Sequence, residues 1–300
     1  MGDGKVIAVF GASGAQGGSV TRALLSDGSY RVRALSRKPR SRKLKPFKDQ
    51  GAEVALADQD DPDSLQRALT GAYGCFIVTD YWETMDKDRE MTQGLNAVKA
   101  ARECGVEHIV FSGLENCQRH FHVEVGHFDG KGRVVEFLQE HKYPFTSVRL
   151  PEYYDHFVTP TPPEKTSENT YVLDIPMGDK PMAAIAVDDI GQCVLGVFNN
   201  RDKYLGKCIG LAGDDMPVSG YAEALGRVFP GKTFLQGPLT TREMAAQSFP
   251  GAADLAAMYD LYMTGMCVRS VAASRELYPH IQNFETWLKA NKEKMAVVLK

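Results

Sequence analysis

The sequence predicts an α/β protein built on a doubly wound parallel sheet, with a smaller α+β C-terminal lobe. Three observations carry that expectation. Strand-like and helix-like segments alternate up to about residue 151, the order that covers both faces of a parallel sheet with helices. The first strand-like run, residues 6–10, reads VIAVF without a polar residue, as burial on both faces requires. Gly11, Gly14 and Gly17 follow at three-residue spacing and lead directly into a helical pattern over 19–25.

Each glycine has a physical task at such a turn. Gly11 permits the tight exit from the strand, Gly14 lets a pyrophosphate approach the backbone, and Gly17 lets the helix lie close on the sheet. The helix's unpaired amides and positive dipole end then face the phosphates. Strand, glycines and helix in this order predict a Rossmann dinucleotide site.

The remaining segments fill out the sheet. Residues 30–36 alternate as a second strand and 52–58 form a third; a helix over 62–69 has Pro62 in its first turn. Residues 73–80, 108–113 and 145–150 are the fourth, fifth and sixth strands. Helical periodicity runs over 91–104 through Leu95, Val98 and Ala101, and over 127–141 with Phe128, Val134, Val135 and Leu138 inward. The Rossmann domain is expected over 1–152, with about 183–212 returning to it. The smaller lobe, 153–300, is expected to close over the cofactor edge. Pro160, Pro162 and Pro163 mark an exposed loop over 159–168. Asp188 or Asp189 is placed to cap a helix running to Phe198, and 284–299 reads as one amphipathic terminal helix.

Bulk composition narrows the function classes. A chain of 300 residues, 43% apolar and 24% charged, is neither disordered nor a coiled coil. Its net charge of −3 gives no global pull toward nucleic acid or an anionic membrane. No apolar run approaches the ~20 residues that span a bilayer, and the first strand begins too early to leave room for a signal peptide. Cys75, Cys104, Cys117, Cys193, Cys208 and Cys267 lie far apart with no Cys-x-x-Cys pair, so they read as reduced thiols in a cytoplasmic setting. No metal site is expected; His120 and His122 stand without Cys or carboxylates at ligand spacing and read as surface residues.

The type of dinucleotide is read after the second strand. An NAD site carries Asp or Glu about 20 residues past the glycines, bonded to the ribose 2′-hydroxyl. Counted from Gly17, that place falls at Arg37. From Arg31 to Lys48 there are nine basic residues and no acidic one, so guanidinium stands where a 2′-phosphate would lie. NADP(H) is the expected cofactor: two charge-assisted bonds of ~1.5–3 kcal/mol each favour it by ~100-fold or more. A solvated face accounts for some of the nine, and a nuclear-localisation or nucleic-acid patch is a third reading. At the C-terminal ends of strands three and four, Asp58 and Gln59 are placed for the adenine. Thr79, Asp80 and Tyr81 are placed for the central ribose and nicotinamide.

Beyond spacing, a set of motifs runs nearly end to end: GASGAQGG at 11–18, RKPR at 37–40, DQDD at 58–61 and VTDYWE at 78–83. SGLEN at 112–116, HFDGK at 127–131, SVRLPEYY at 147–154 and FPGA at 249–252 continue it. Together they resemble the NmrA-like atypical short-chain dehydrogenase/reductase family, above all its animal NADPH-sensing members. The resemblance implies NADP(H) contacts from Gly11, Ala12, Ser13, Gly14, Ala15 and Gln16, beside Gly17, and from Arg37, Lys38, Pro39, Arg40 and Ser41. It further implies contacts from Asp58, Gln59, Thr79, Asp80, Tyr81, Lys131, Tyr153, Tyr154, Asp155 and His156. The function it implies is redox-sensing regulation with little or no turnover, through a regulatory protein partner or a homodimer, in the cytoplasm and also the nucleus.

Residue chemistry supports part of this independently. Typical short-chain dehydrogenases hold the carbonyl with a Ser and protonate it from a Tyr, whose pKa is lowered by a Lys four residues on. Ser112 fits the Ser and Lys131 the Lys, but His127 stands where the Tyr would be. Lys131 is thus expected to anchor the ribose without completing a proton relay, with His127 an ordinary helix-start residue. If the chain is an enzyme, Lys131, Ser112 and His127 are its catalytic candidates. That alternative is an NADPH-dependent reductase of the isoflavone-reductase-like type, using Lys131 as acid or base.

Overall fold

The computed structural model describes residues 4–300, and the chain divides into two compact units. The first takes the residues up to His120, Gly126–Arg149 and Val187–Ile209; the second takes Phe121–Val125, Leu150–Ala186 and Gly210–Lys300. The chain therefore leaves the first unit at Arg149, and what returns is chiefly a helix. The strand before that helix, Pro181–Ile185, pairs within the second unit.

The first unit is the doubly wound sheet that the sequence predicts. Its strands are β1 (Val6–Val9), β2 (Arg31–Ser36), β3 (Glu53–Leu56), β4 (Gly74–Ile77), β5 (His108–Gly113) and β6 (Phe145–Arg149). The strand Cys208–Gly210 adds beside β6, giving the order Cys208–Gly210, β6, β5, β4, β1, β2, β3. Neighbours from β6 to β3 pair in parallel. The strand order reverses at β1, so the loops leaving β1 and β4 diverge and open a crevice at the C-terminal edge.

Helices complete the layers: α1 (Ala15–Asp27), α2 (Lys45–Asp49), α3 (Pro62–Leu69), α4 (Lys87–Glu103), α5 (Cys117–Phe121), α6 (Gly126–Glu140) and α7 (Val187–Asn199), with the short helix Arg201–Tyr204 after it. On one face Ala8, Phe10, Cys75, Ile77, Ile109 and Phe111 meet Leu65 and Leu69 of α3, Ala97 and Val98 of α4, and Val134, Val135 and Leu138 of α6. Each large side chain fully buried there contributes about 1.5–3 kcal/mol. Helix α1 lies against α7, where Gly191 leaves no room for a Cβ against the Ser19 backbone. Ser19 Oγ donates to Asp188 O at 3.0 Å and accepts from Gly191 N at 2.9 Å.

Several boundaries differ from the periodicity for local reasons. Helix α4 starts a turn before Met91 because Asp86 caps it, accepting from Asp88 N at 2.9 Å and Arg89 N at 3.0 Å. Asp188 and Asp189 lie inside the first turn of α7 rather than ahead of it, and Asp188 pairs with Arg22 at 2.6 Å. The terminal stretch is two helices, Phe284–Ala290 and Lys292–Val298. They break at Asn291, whose Nδ2 bonds back to Trp287 O at 3.0 Å.

The second unit holds two three-stranded sheets. One is ordered Asp214–Pro217, Pro181–Ile185, Glu152–Tyr153; the other Thr233–Gln236, Thr170–Leu173, Glu164–Lys165. An aromatic cluster of Tyr154, Phe157, Tyr221, Phe284 and Trp287 forms part of its core. Among the described residues no helix is long and apolar enough to cross a membrane.

Candidate functional site

The crevice beside β1 is bounded by the glycine turn. Gly11 has φ +62°, and a Cβ there would lie 2.9 Å from Val78 Cγ1. At Gly17 a Cβ would strike the carbonyls of Phe10 and Gly11, so strand end and helix start approach only because that residue has no side chain. Gly14 is the extended N-cap of α1; it offers no side-chain cap, and the first turn holds no acidic residue. Gly11, Gly14 and Ala15 are exposed, Ser13 and Gln16 half-buried. Ala12 is buried, its N–H donating to Leu35 O at 3.3 Å. A helix end left open in this way fits a pyrophosphate.

The next loop carries Arg37. Its Nη1 donates to both oxygens of Glu83, at 2.7 and 2.8 Å. That hydrogen bond lifts the Arg37 pKa above its ordinary value; partial burial opposes the rise, and the charges of Glu83, Asp58 and Asp80 add to it. Lys38 N donates to Ser36 Oγ at 3.0 Å, and Ser41 Oγ accepts from Lys43 N at 3.3 Å. Lys38 and Arg40 are exposed, Pro39 and Ser41 half-buried. Part of the basic stretch is structural: Arg33 bonds Glu53 and the carbonyls of Ala68 and Thr70, each at 2.8 Å. Lys45 pairs with Asp49 at 2.6 Å.

After β3, Asp58 Oδ1 accepts from Asp60 N at 3.0 Å, and Gln59 Nε2 donates to Val78 O at 3.3 Å. These bonds fix the loop against the end of β4. There Thr79 is buried, its Oγ1 donating to Glu90 Oε1 at 2.7 Å. The same oxygen of Glu90, from α4, contacts Lys131 Nζ from α6. Burial pushes the Lys131 ammonium down to about 7, with the Asp80 carboxylate pulling the other way. Periodicity and motif spacing point to Thr79 and Lys131 but not to Glu90. The signal that could have found it is its place on the buried stripe of α4, with Gln93, Gly94, Ala97, Val98 and Ala101.

Ser112 and His127 lie on β5 and α6 with neighbours of their own. The Ser112 hydroxyl, buried at the end of β5, donates to Gln16 Oε1 at 2.6 Å. The His127 ring packs 5.0 Å from Trp82, 6.0 Å from Tyr81 and 4.8 Å from Phe128. His120 Nε2 lies 3.0 Å from Glu136 Oε1. The strand ends of the first unit thus carry the glycine turn, Arg37, Asp58, Gln59, Thr79, Asp80 and Tyr81, with Glu83 in the turn after β4, Glu90 on α4 and Lys131 on α6.

Tyr153, Tyr154, Asp155 and His156 belong to the second unit, at the strand Glu152–Tyr153 and the turn Tyr154–Phe157. Tyr154 is fully buried there, its ring 5.2 Å from Phe284 and 5.8 Å from Trp287. That ring is core, so what Tyr154 can offer a ligand comes from its backbone. His156 Nδ1 lies 2.8 Å from Glu152 Oε2. Burial alone would lower the His156 pKa, but the Glu152 bond and the charges of Glu152 and Asp155 hold it above the ordinary value.

Fold and crevice together define a Rossmann-class protein. Residues 3–288 match the model of the NmrA-like family, and the chain belongs to that family. An NmrA-like family domain-containing protein of Dictyostelium discoideum is 27% identical over 238 residues, covering 75% of this chain and 77% of its own. Among solved structures, the negative transcriptional regulator NmrA in complex with NADP superposes with a TM-score of 0.83 at 18% identity, covering 99% of this chain and 98% of its own. The Citrobacter sp. triphenylmethane reductase complexed with NADP(H) gives 0.78 at 22%, covering 97% and 99%. At these identities the two structures share the fold with this chain.

Proposed function

We propose that this chain is an NADP(H)-binding regulatory protein with little or no turnover, whose protein associations change with cofactor occupancy. The observation that carries the reading is the engagement of Ser112 with Gln16 while a packed His127 stands in place of the phenol. The open end of α1 takes the pyrophosphate, Arg37 the 2′-phosphate, and Lys131 the ribose. NmrA, whose fold the chain shares, fits this picture, since it is called a negative transcriptional regulator and was solved with NADP and with NAD.

One observation favours a second reading, a reductase. Lys131 is buried against Glu90 with its pKa lowered to about 7, where it could hold or release a proton near neutrality. The NADP(H) complex of triphenylmethane reductase shares the fold. A bound nicotinamide would supply the hydride, and Lys131 with Glu90 would hold the proton at Nζ or Oε1.

Sedimentation with and without NADPH, run alongside NADPH consumption over quinones, enones and aryl ethers, separates the two. A shift in association, with partner or self, and no consumption above the Lys131→Ala baseline is the expected result. Cofactor oxidation that disappears in Lys131→Ala would establish the reductase instead. Failure to bind either nicotinamide phosphate would end both readings.

A further inference from the structure

The Arg37 fork already holds an anion. Glu83 reaches it from the turn Tyr81–Glu83 after β4 and takes both hydrogen bonds from Nη1, at 2.7 and 2.8 Å. Asp58 and Asp80 stand close enough to act on the same guanidinium. An arriving 2′-phosphate, with a charge of about −1.5 to −2, meets a carboxylate on the group it needs, with two more beside it. Arg37 and Glu83 are each about half exposed, at 51% and 40%, so water and a phosphate can both reach the pair.

The same turn bears two aromatic neighbours of the crevice. Tyr81 and Trp82 rings lie 5.2 Å apart, and Trp82 lies 5.0 Å from His127. Beyond Glu83 the chain folds back, with Met85 N donating to Tyr81 O at 2.7 Å and Met85 at φ +53°. The Glu83–Arg37 bonds therefore tie this short turn to the loop after β2.

We infer that Glu83 is a resident competitor for the 2′-phosphate: it weakens NADP(H) binding, leaves NAD(H) binding alone, and on displacement frees the Trp82 turn. The inference rests on the NADP(H) reading above and deepens it. It makes Glu83 a specificity-determining residue that acts through Arg37, and gives the proposed regulator an element that distinguishes a phosphorylated dinucleotide from its unphosphorylated counterpart.

The test is calorimetric titration of the full chain and Glu83→Gln with NADP⁺ and with NAD⁺, followed in parallel by tryptophan emission. Trp287, the other tryptophan, is buried in the second unit, and Trp82→Phe assigns the signal. Glu83→Gln is expected to tighten NADP⁺ roughly three- to tenfold and to leave NAD⁺ within about twofold. In the parent chain NADP⁺, but not NAD⁺, is expected to shift Trp82 emission, and Glu83→Gln to abolish most of that shift. Unchanged or weaker NADP⁺ binding in Glu83→Gln overturns the inference, as does equal tightening of both nucleotides, while the cofactor reading stands. A parent chain that binds neither nucleotide overturns the cofactor reading and the inference with it.

Discussion

Gly17 shows how strictly one position governs the crevice. A Cβ there would meet two backbone carbonyls, and backbone cannot swing aside as a flexible side chain can. Gly17→Ala is expected to lower the urea-unfolding free energy by about 1–3 kcal/mol, with loss of nucleotide binding in the folded fraction. The close approach at Gly17 was legible in the sequence because it follows from the glycine spacing of one strand–turn–helix unit, and the place of Arg37 just after β2 because it follows from counting on from there. Glu83 and Glu90 were not, since each acquires its role from a partner that the fold brings in from another element. The Ser112–Gln16 bond spans 96 residues, and no local pattern announces it.

Elements were legible where a buried stripe and a cap agreed. Helix α3 starts at Pro62 as expected, with Asp61 accepting from Asp63 N at 3.1 Å and Ser64 N at 3.2 Å. The terminal stretch is two helices rather than one because an apolar stripe does not reveal an internal Asn that ends a helix. Strand β5 carries a titration that no sequence pattern announces. His108 is fully buried, its Nε2 2.9 Å from Thr146 Oγ1, and that hydroxyl donates to Tyr204 O. Nε2 therefore carries the proton and the ring is neutral. Burial pushes its pKa down to about 4, with the Arg201 charge adding to the drop. The unfolded chain binds that proton near 6.5, so more protons are bound unfolded than folded between these values, and stability falls as pH drops through the window. Urea unfolding at pH 7 and pH 4.5 is expected to show a loss of about 2–3 kcal/mol that His108→Gln lacks.

At the scale of the molecule, the alternation of strands and helices disclosed the doubly wound sheet, and family motifs disclosed the NmrA-like membership. The point where the chain changes units is less visible, because the strand Pro181–Ile185 and helix α7 adjoin in sequence yet belong to different units. The glycine turn, Arg37 and Lys131 all lie in the first unit, so a nucleotide held by them stabilises that unit by mass action. NADP⁺ at a hundred times its dissociation constant is expected to contribute about 2.7 kcal/mol and to raise the first unit's calorimetric midpoint by about 5–10 °C. A midpoint indifferent to NADP⁺ would count against the cofactor reading.

The seam between α1 and α7 has a consequence for biogenesis. The helix that lies against α1 is synthesised more than a hundred and fifty residues after it. A ribosome-bound chain would thus leave the Ser19 flank of α1 uncovered throughout the translation of the intervening second-unit segment. This is the kind of surface that chaperones hold until the missing piece emerges. The unit that carries the glycine turn is completed only after part of the second unit has been made.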